Sequence, residues 1–383
     1  MKHVRTQCLH RTVKNALLAS LLGGFGAVHS HAQLSFNSGS TGADGALNVT
    51  SNTTKALPAD GVFNYTTITV ASGATLKFTT NTLNTPVHLL ATGDILINGT
   101  IDVSASGAKS GGPGGFDGGK SAYGSLPSGD GYGPGGGRGT AAGSYATTGS
   151  QGGTTYGSPL LIPLVGGSGG GGGSRIDAGG GGAILLASST RVDLSGSVLA
   201  TGVLRYYGYG AGTGAGSGGA VRIVAPVVAG RGTVNVSGGM DTWNNIGAGG
   251  VGRIRIDCMD RRSLALGLSG ALTIGANMVA LPAVTPRLDV IQVGTNTIPV
   301  GTLPPLFFMF PQPPGIASNQ VVNVKVQAAD FGGNVPIRIA LIPDSGTSTT
   351  YDTNIDNTIS PATVTLPVTV PVNVPVQINA WTR

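Results

Sequence analysis

The sequence contains no glutamate. All 16 acidic side chains are Asp, and with 22 Lys and Arg the charged residues reach only 10% of 383, against about 25% in an ordinary globular protein. Glu is absent, Lys is scarce and Gly occupies 67 positions. Long helices are therefore disfavoured, because each Gly costs about 1 kcal/mol against Ala in a helix interior. Aromatics make up 5%. Histidine and cysteine are scarcer still: His3, His10, His29, His31 and Cys8 all fall within the first 32 residues, which leaves His88 and Cys258 for the rest. One Cys excludes an intramolecular disulfide there, and one Cys with one His excludes a zinc site of Cys and His ligands. A Ser–His–Asp triad would have to recruit His88. No Gly-X-Y period is present, which excludes collagen. A 40% apolar content with small net charge excludes global disorder. What remains is an all-β chain with glycine loops.

The first 32 residues have the order of a secretory signal. Lys2, Arg5, Arg11 and Lys14 precede the apolar run at 16–28, and Ser30 and Ala32 form a small-x-small site before Gln33. That run is too short for a bilayer core, which needs about 20 apolar residues, and no later stretch qualifies as a transmembrane segment. The expected product starts at Gln33 and is extracellular or displayed at the cell surface. It carries 18 basic residues (22 less 4) against 16 Asp, or +2. A nucleic-acid footprint needs clustered Lys and Arg, and only RIRIDCMDRR (253–262) approaches one. Alternation there places Ile254, Ile256 and Cys258 inward and Arg253 and Arg255 on a solvated strand face. Nucleic acid is therefore not an expected partner.

Three stretches can be laid over one another: 87–107, 182–202 and 219–239. In each, an apolar strand ending at Ala91, Ala187 or Ala225 is followed by a second apolar segment and then by Gly99, Gly196 or Gly232. An alternating strand follows, with Ile101 and Val103, Val198 and Ala200, or Val234 and Val236. Residues 67–78 and 251–258 are partial copies. One such unit cannot bury both faces of its strands, whereas stacked units can. On these residues, and on GSGGAVRIVAPVVAGRGTVNVSGG in particular, the chain resembles the right-handed parallel β-helix proteins secreted by bacteria, including surface proteins with Gly-rich repeats. The resemblance covers roughly 60–260. It implies a parallel β-helix over 33–284 and leaves activity open, because this coil serves adhesins, tailspikes and polysaccharide lyases alike.

The repeats are interrupted at 107–181, where Gly stands at 30 positions. Two readings compete: a flexible low-complexity loop, or a packed lobe in which glycine strands lie side by side. Either way, the coil pattern closes across the gap, so the insertion is expected to be an outgrowth that adds little stability. From about 285 Gly thins and Pro rises. The alternating runs at 321–328, 335–343 and 363–381 then predict a small β-sandwich over 285–383, with Pro367, Pro371 and Pro375 on edge strands. Such a module would mediate attachment or cap the coil.

Catalytic motifs are thin. Gly114, Gly119, Lys120 and Ser121 match the phosphate-loop pattern, but no strand precedes them and no helix follows, so nucleotide binding is not expected. His88 alternates outward from Val87 and Leu89 and reads as an exposed strand residue. No cofactor is expected; structural calcium stays open, with Asp117, Asp130 and Asp177 in Gly-rich loops as candidate ligands. A polysaccharide lyase or hydrolase would align acids at equivalent outward positions of stacked coils. Instead Asp102 aligns with Leu199 and Asn235, and Asp193 with Leu96. Arg191 and Asp193 are the sole candidate catalytic pair. The loop aromatics Phe116, Tyr123, Tyr132, Tyr145 and Tyr156 are the candidate ligand contacts. The sequence thus predicts a structural or adhesive protein that displays these loops to glycans or neighbouring proteins without catalysis. A polysaccharide-active enzyme and a fibre or matrix subunit are the alternatives, and oligomeric state is left open.

Overall fold

The computed structural model describes residues 36–106, 110–119, 129–172, 178–203, 214–240, 248–282, 284, 286–302, 306–315, 318–345 and 349–382. The N-terminal segment, Tyr123, Lys120, Ser121 and Asp177 lie outside them. Within the described residues all long-range regular structure is β-strand.

Sixteen short strands come first: β1 (Ala46–Val49), β2 (Thr53–Ala56), β3 (Val62–Tyr65), β4 (Thr67–Val70), β5 (Thr75–Thr79), β6 (Val87–Ala91), β7 (Ile95–Ile97), β8 (Thr100–Asp102), β9 (Ala183–Ser188), β10 (Arg191–Leu194), β11 (Ser197–Leu199), β12 (Ala220–Ala229), β13 (Thr233–Asn235), β14 (Arg253–Asp260), β15 (Gly267–Ser269) and β16 (Ala271–Gly275). All their pairings are parallel and fall into three rows. One row runs β3-β6-β9-β12-β14-β16, a second β1-β4-β7-β10-β12 and a third β2-β5-β8-β11-β13-β15. The long β12 serves two rows: Ala220–Val224 pairs with β9 and Val227–Ala229 with β10.

Register stacks like on like. Phe63, Leu89, Leu186, Ile223, Ile256 and Ile274 are successive partners in the first row. Leu76, Ile101, Val198, Val234 and Leu268 are successive partners in the third. Apart from Leu268, which is partly buried, and Ile274, which is exposed on the last strand of its row, these inward residues form one continuous buried cluster, with Cys258 at 5% exposure among them. A β-branched or Leu side chain at every second position explains both the strands and the cluster, since period-2 residues share a face. Asp102 pairs with Leu199, Leu199 with Asn235, and Asp193 with Leu96, as the sequence alignment expects.

Eight antiparallel strands follow: β17 (Arg287–Val293), β18 (Asn296–Thr297), β19 (Leu306–Met309), β20 (Asn319–Ala329), β21 (Asn334–Pro343), β22 (Thr349–Asp356), β23 (Ala362–Pro371) and β24 (Pro375–Thr382). They make two four-stranded sheets, β18-β17-β20-β23 and β19-β24-β21-β22. Val324, Val326 and Val368 of one sheet share a hydrophobic cluster with Ile337, Ile339 and Ile378 of the other. Pro367 and Pro371 lie in β23, which ends its sheet, whereas Pro375 opens β24, an interior strand. An N–H is dispensable at both kinds of position.

Two expectations about exposed strand faces are corrected here. Arg255 is buried rather than solvated, and Arg253 donates to the Tyr156 carbonyl oxygen at 2.9 Å. Arg255 binds Asp257 through Nε at 3.0 Å, and Arg222 reaches the same carboxylate at 3.4 Å, with Asp257 fully buried. His88 is partly buried and shares a pocket with Leu161–Leu164 and Ala280–Pro282. The physical reason is the same in both cases: later segments lie over the outer face of the first row, which the period-2 pattern of the strands cannot reveal.

Candidate functional site

The Gly-rich segments decide the geometry of the candidate site. Gly167 and Gly170 donate to the carbonyls of Gly181 and Ala178, three residues apart on one neighbour. Gly180 and Ala183 likewise donate to Phe116 and Pro113, and Gly216 and Gly219 to Val203 and Ala200. Donors spaced by three that return to the same neighbour are the signature of an extended three-residue-per-turn helix. The intervening N–H groups turn to other strands of the bundle, as Ser217 does to Ser168. Such a lattice requires backbones in contact, which only Gly permits. A Cβ on Gly170, Gly180 or Gly218 would drive into the carbonyls of Gly214, Gly167 or Val236.

The described part of the insertion is therefore a packed lobe, not a flexible loop or an outgrowth. Ala183 of β9 donates to Pro113, which ties the lobe into the first row. Tyr145 and Tyr156 sit inside it with rings 4.5 Å apart, at 0% and 3% exposure. Their hydroxyls donate to the carbonyls of Val165 and Gly166 at 2.7 and 2.6 Å. Burial pushes the Tyr145 phenol well above its ordinary value and keeps it a neutral donor. These two tyrosines are lobe core, and their expected role as ligand contacts is corrected: a large aromatic among glycines is the natural filler of the gaps between bare backbones.

Phe116, Tyr132 and Asp117 do come together. With Thr80, Asn81 and Asn84 they line an open groove of about 350 Å3. Tyr132 N–H donates to the Asp117 carbonyl at 3.0 Å, which sets the two residues side by side. Tyr132 is 40% exposed. Asn84, at φ 47°, holds the lobe to the strands: its Oδ1 accepts from Gly114 at 3.1 Å and its Nδ2 donates to Gly115 at 2.6 Å. Asn81 Nδ2 donates to Thr85 Oγ1 at 2.7 Å. Phe116 packs edge-on against Trp381 of β24, centroids 5.3 Å apart. Sequence reasoning missed Asn81, Asn84 and Trp381. The Asn-x-x-Asn spacing beside a Pro was the available signal, because Asn tolerates left-handed backbone in tight turns.

Asp117 Oδ1 accepts from Gly111 N–H and Asp130 Oδ1 from Gly139 N–H, each at 2.9 Å. Among the described residues no three His, Cys or Asp gather as ligands for a metal ion. Arg191 and Asp193 pair with each other on β10, where Asp193 also accepts from Ser195 Oγ at 3.1 Å. Among the described residues no helix is long and apolar enough to cross a membrane.

No family model matches the chain, and no curated protein matches it. Among solved structures it has a slight likeness to the chitinase ChiW of Paenibacillus sp. FPU-7, a bacterial cell-surface-expressed multi-modular enzyme. The identity is 8% and the TM-score 0.13 over 88% of this chain, and the match spans 24% of that one. A likeness of this size carries no argument about fold or activity.

Proposed function

We propose that the three parallel rows are the coils of a secreted parallel β-helix, followed by a β-sandwich, and that the protein is a non-catalytic glycan-binding module of the cell surface. The observation that carries this reading is the groove beside the Gly-rich lobe. An exposed tyrosine ring there stands next to a carboxylate and two amides. A sugar ring offers an apolar C–H face for the aromatic and hydroxyls for the polar groups. The rigid lobe holds these groups in place, so little ordering entropy is lost on binding. The N-terminal basic, apolar and small-residue order supports export.

One experiment addresses both halves. Protein beginning at Gln33 should bind at least one neutral or acidic polysaccharide in affinity electrophoresis. Tyr132→Ala should weaken that binding by roughly tenfold, the effect of losing one aromatic contact of about 1–1.5 kcal/mol. Chain length of the polysaccharide should stay unchanged on prolonged incubation, with or without calcium. Binding that is indifferent to Tyr132 removes the groove from the reading. Turnover that disappears in Asp193→Ala restores the enzyme alternative.

A further inference from the structure

The outer face of the first row carries a second, different cavity. Residues 161–164 and 280–282 face the strands across it, leaving about 360 Å3. Its walls are apolar, with Leu161, Ile162, Leu164 and Leu185 prominent. Two basic side chains reach it from β6 and β12, His88 and Arg222. Register places Leu185 between them as the partner of both.

Both groups keep an unused nitrogen. Arg222 is 2% exposed and donates through its Nη atoms to the carbonyls of Ala280 at 3.0 Å and Val279 at 2.6 Å, while its Nε has no acceptor. His88 Nδ1 is also buried without a partner. The local charge is unbalanced as well, since the buried guanidiniums of Arg222 and Arg255 share a single buried carboxylate, Asp257. Asp60 at the rim is solvent-exposed, and its Oδ1 already accepts from Val62 N–H at 3.0 Å. A buried polar nitrogen without a partner costs about 1–3 kcal/mol, more when charged, so such a pair is unusual unless a ligand completes it.

We propose that this cavity binds a small monocarboxylate with an apolar body, its carboxylate accepting from Arg222 Nε and from the His88 imidazole. The apolar walls take the hydrocarbon. Asp60 at the mouth disfavours ligands bearing a second negative charge. Burial, with Arg222 adding to it, holds the empty site's His88 down at about 4 against the opposing pull of Asp60 and the Gly61 contact. A bound carboxylate adds a negative charge beside the imidazole and raises that value.

The test uses the chain from Gln33 with 3-phenylpropionate and its uncharged amide as probes. Titration calorimetry at pH 7 should show the carboxylate binding roughly tenfold more tightly than the amide, the difference expected of one charge-assisted hydrogen bond. His88 is the lone histidine of this chain form, so its imidazole signals are unique in an NMR titration. Their midpoint should rise with the carboxylate and stay put with the amide. Leu164→Trp, which fills the cavity without touching the charged groups, should abolish both effects while melting as the parent does. Equal affinity for the two probes, no binding by either, or an unmoved His88 midpoint would overturn the site.

Discussion

Replacing Asp257 by Ala should destabilise the protein by about 3–5 kcal/mol, the cost of leaving buried charge uncompensated. Asp257 is fully buried and accepts from Arg255 Nε with both oxygens at 3.0 Å, from Arg222 at 3.4 Å and from Asn277 N–H at 2.9 Å. Its removal strands two guanidiniums that are 2% and 8% exposed. It also frees the segment that begins at Asn277 and supplies Val279 and Ala280 to Arg222. Denaturant titration followed by far-ultraviolet dichroism measures the loss. Asp260→Ala is the paired control: Asp260 bonds Arg262 only two residues away, and that Arg is 89% exposed. Exposed, solvent-screened pairs contribute little. If the two variants lose equal stability, the Asp257 cluster is not the clamp described above.

The same cluster marks where the sequence stops being legible. The inward columns could be read directly, because one apolar residue at every second position has no other economical packing. The alignment placed Asp102 opposite Leu199 and Asn235, and the strands pair so. It slipped by one in β9, where Ala187 was equated with Ala91 but pairs with Leu90; two adjacent small residues, Ala187 and Ser188, leave that register weakly specified by pattern alone. Outward residues were harder. Arg222, Arg255, Asp257 and His88 occupy the phase that solvent normally takes, and only contacts with residues 161–164 and 276–282, distant in sequence, bury them. Two Arg and one Asp in consecutive outward positions of neighbouring repeats were the clue available. In the candidate groove, Phe116, Tyr132 and Asp117 were legible as chemistry in glycine loops. Asn84 and Trp381 were not, since their roles depend on which backbone the lobe rests against.

The Gly-rich lobe is where the largest effect is expected. Excising 108–180 and closing the gap with a short Gly-Ser turn should abolish cooperative folding of the parallel rows, although the repeat pattern reads continuously across the cut. The lobe is not a loop whose removal costs only closure entropy. Its Gly143 donates to Ala215 and accepts from Gly250, its Ala146 and Ser150 donate to Val251 and Ala248, and its Ser168 accepts from Ser217. Tyr156 receives Arg253 of β14, whose guanidinium also lies 5.6 Å from the Tyr145 ring. Deletion would strip partners from buried backbone groups of 214–219 and 248–252 at once, and each unmet buried group costs about 1–3 kcal/mol. Single substitutions refine the test. Gly170→Ala and Gly218→Ala place a methyl against backbone carbonyls that cannot rotate away, so each should cost about 1–3 kcal/mol or more, as overpacked interiors do. Gly333→Ala in the C-terminal part meets nothing within 4 Å and should stay within about 0.5 kcal/mol of the parent. Thermal melts of the four proteins decide the matter. A shortened chain that still melts cooperatively, with Gly170→Ala as stable as Gly333→Ala, would mean that the glycine lattice rests on the coil without supporting it.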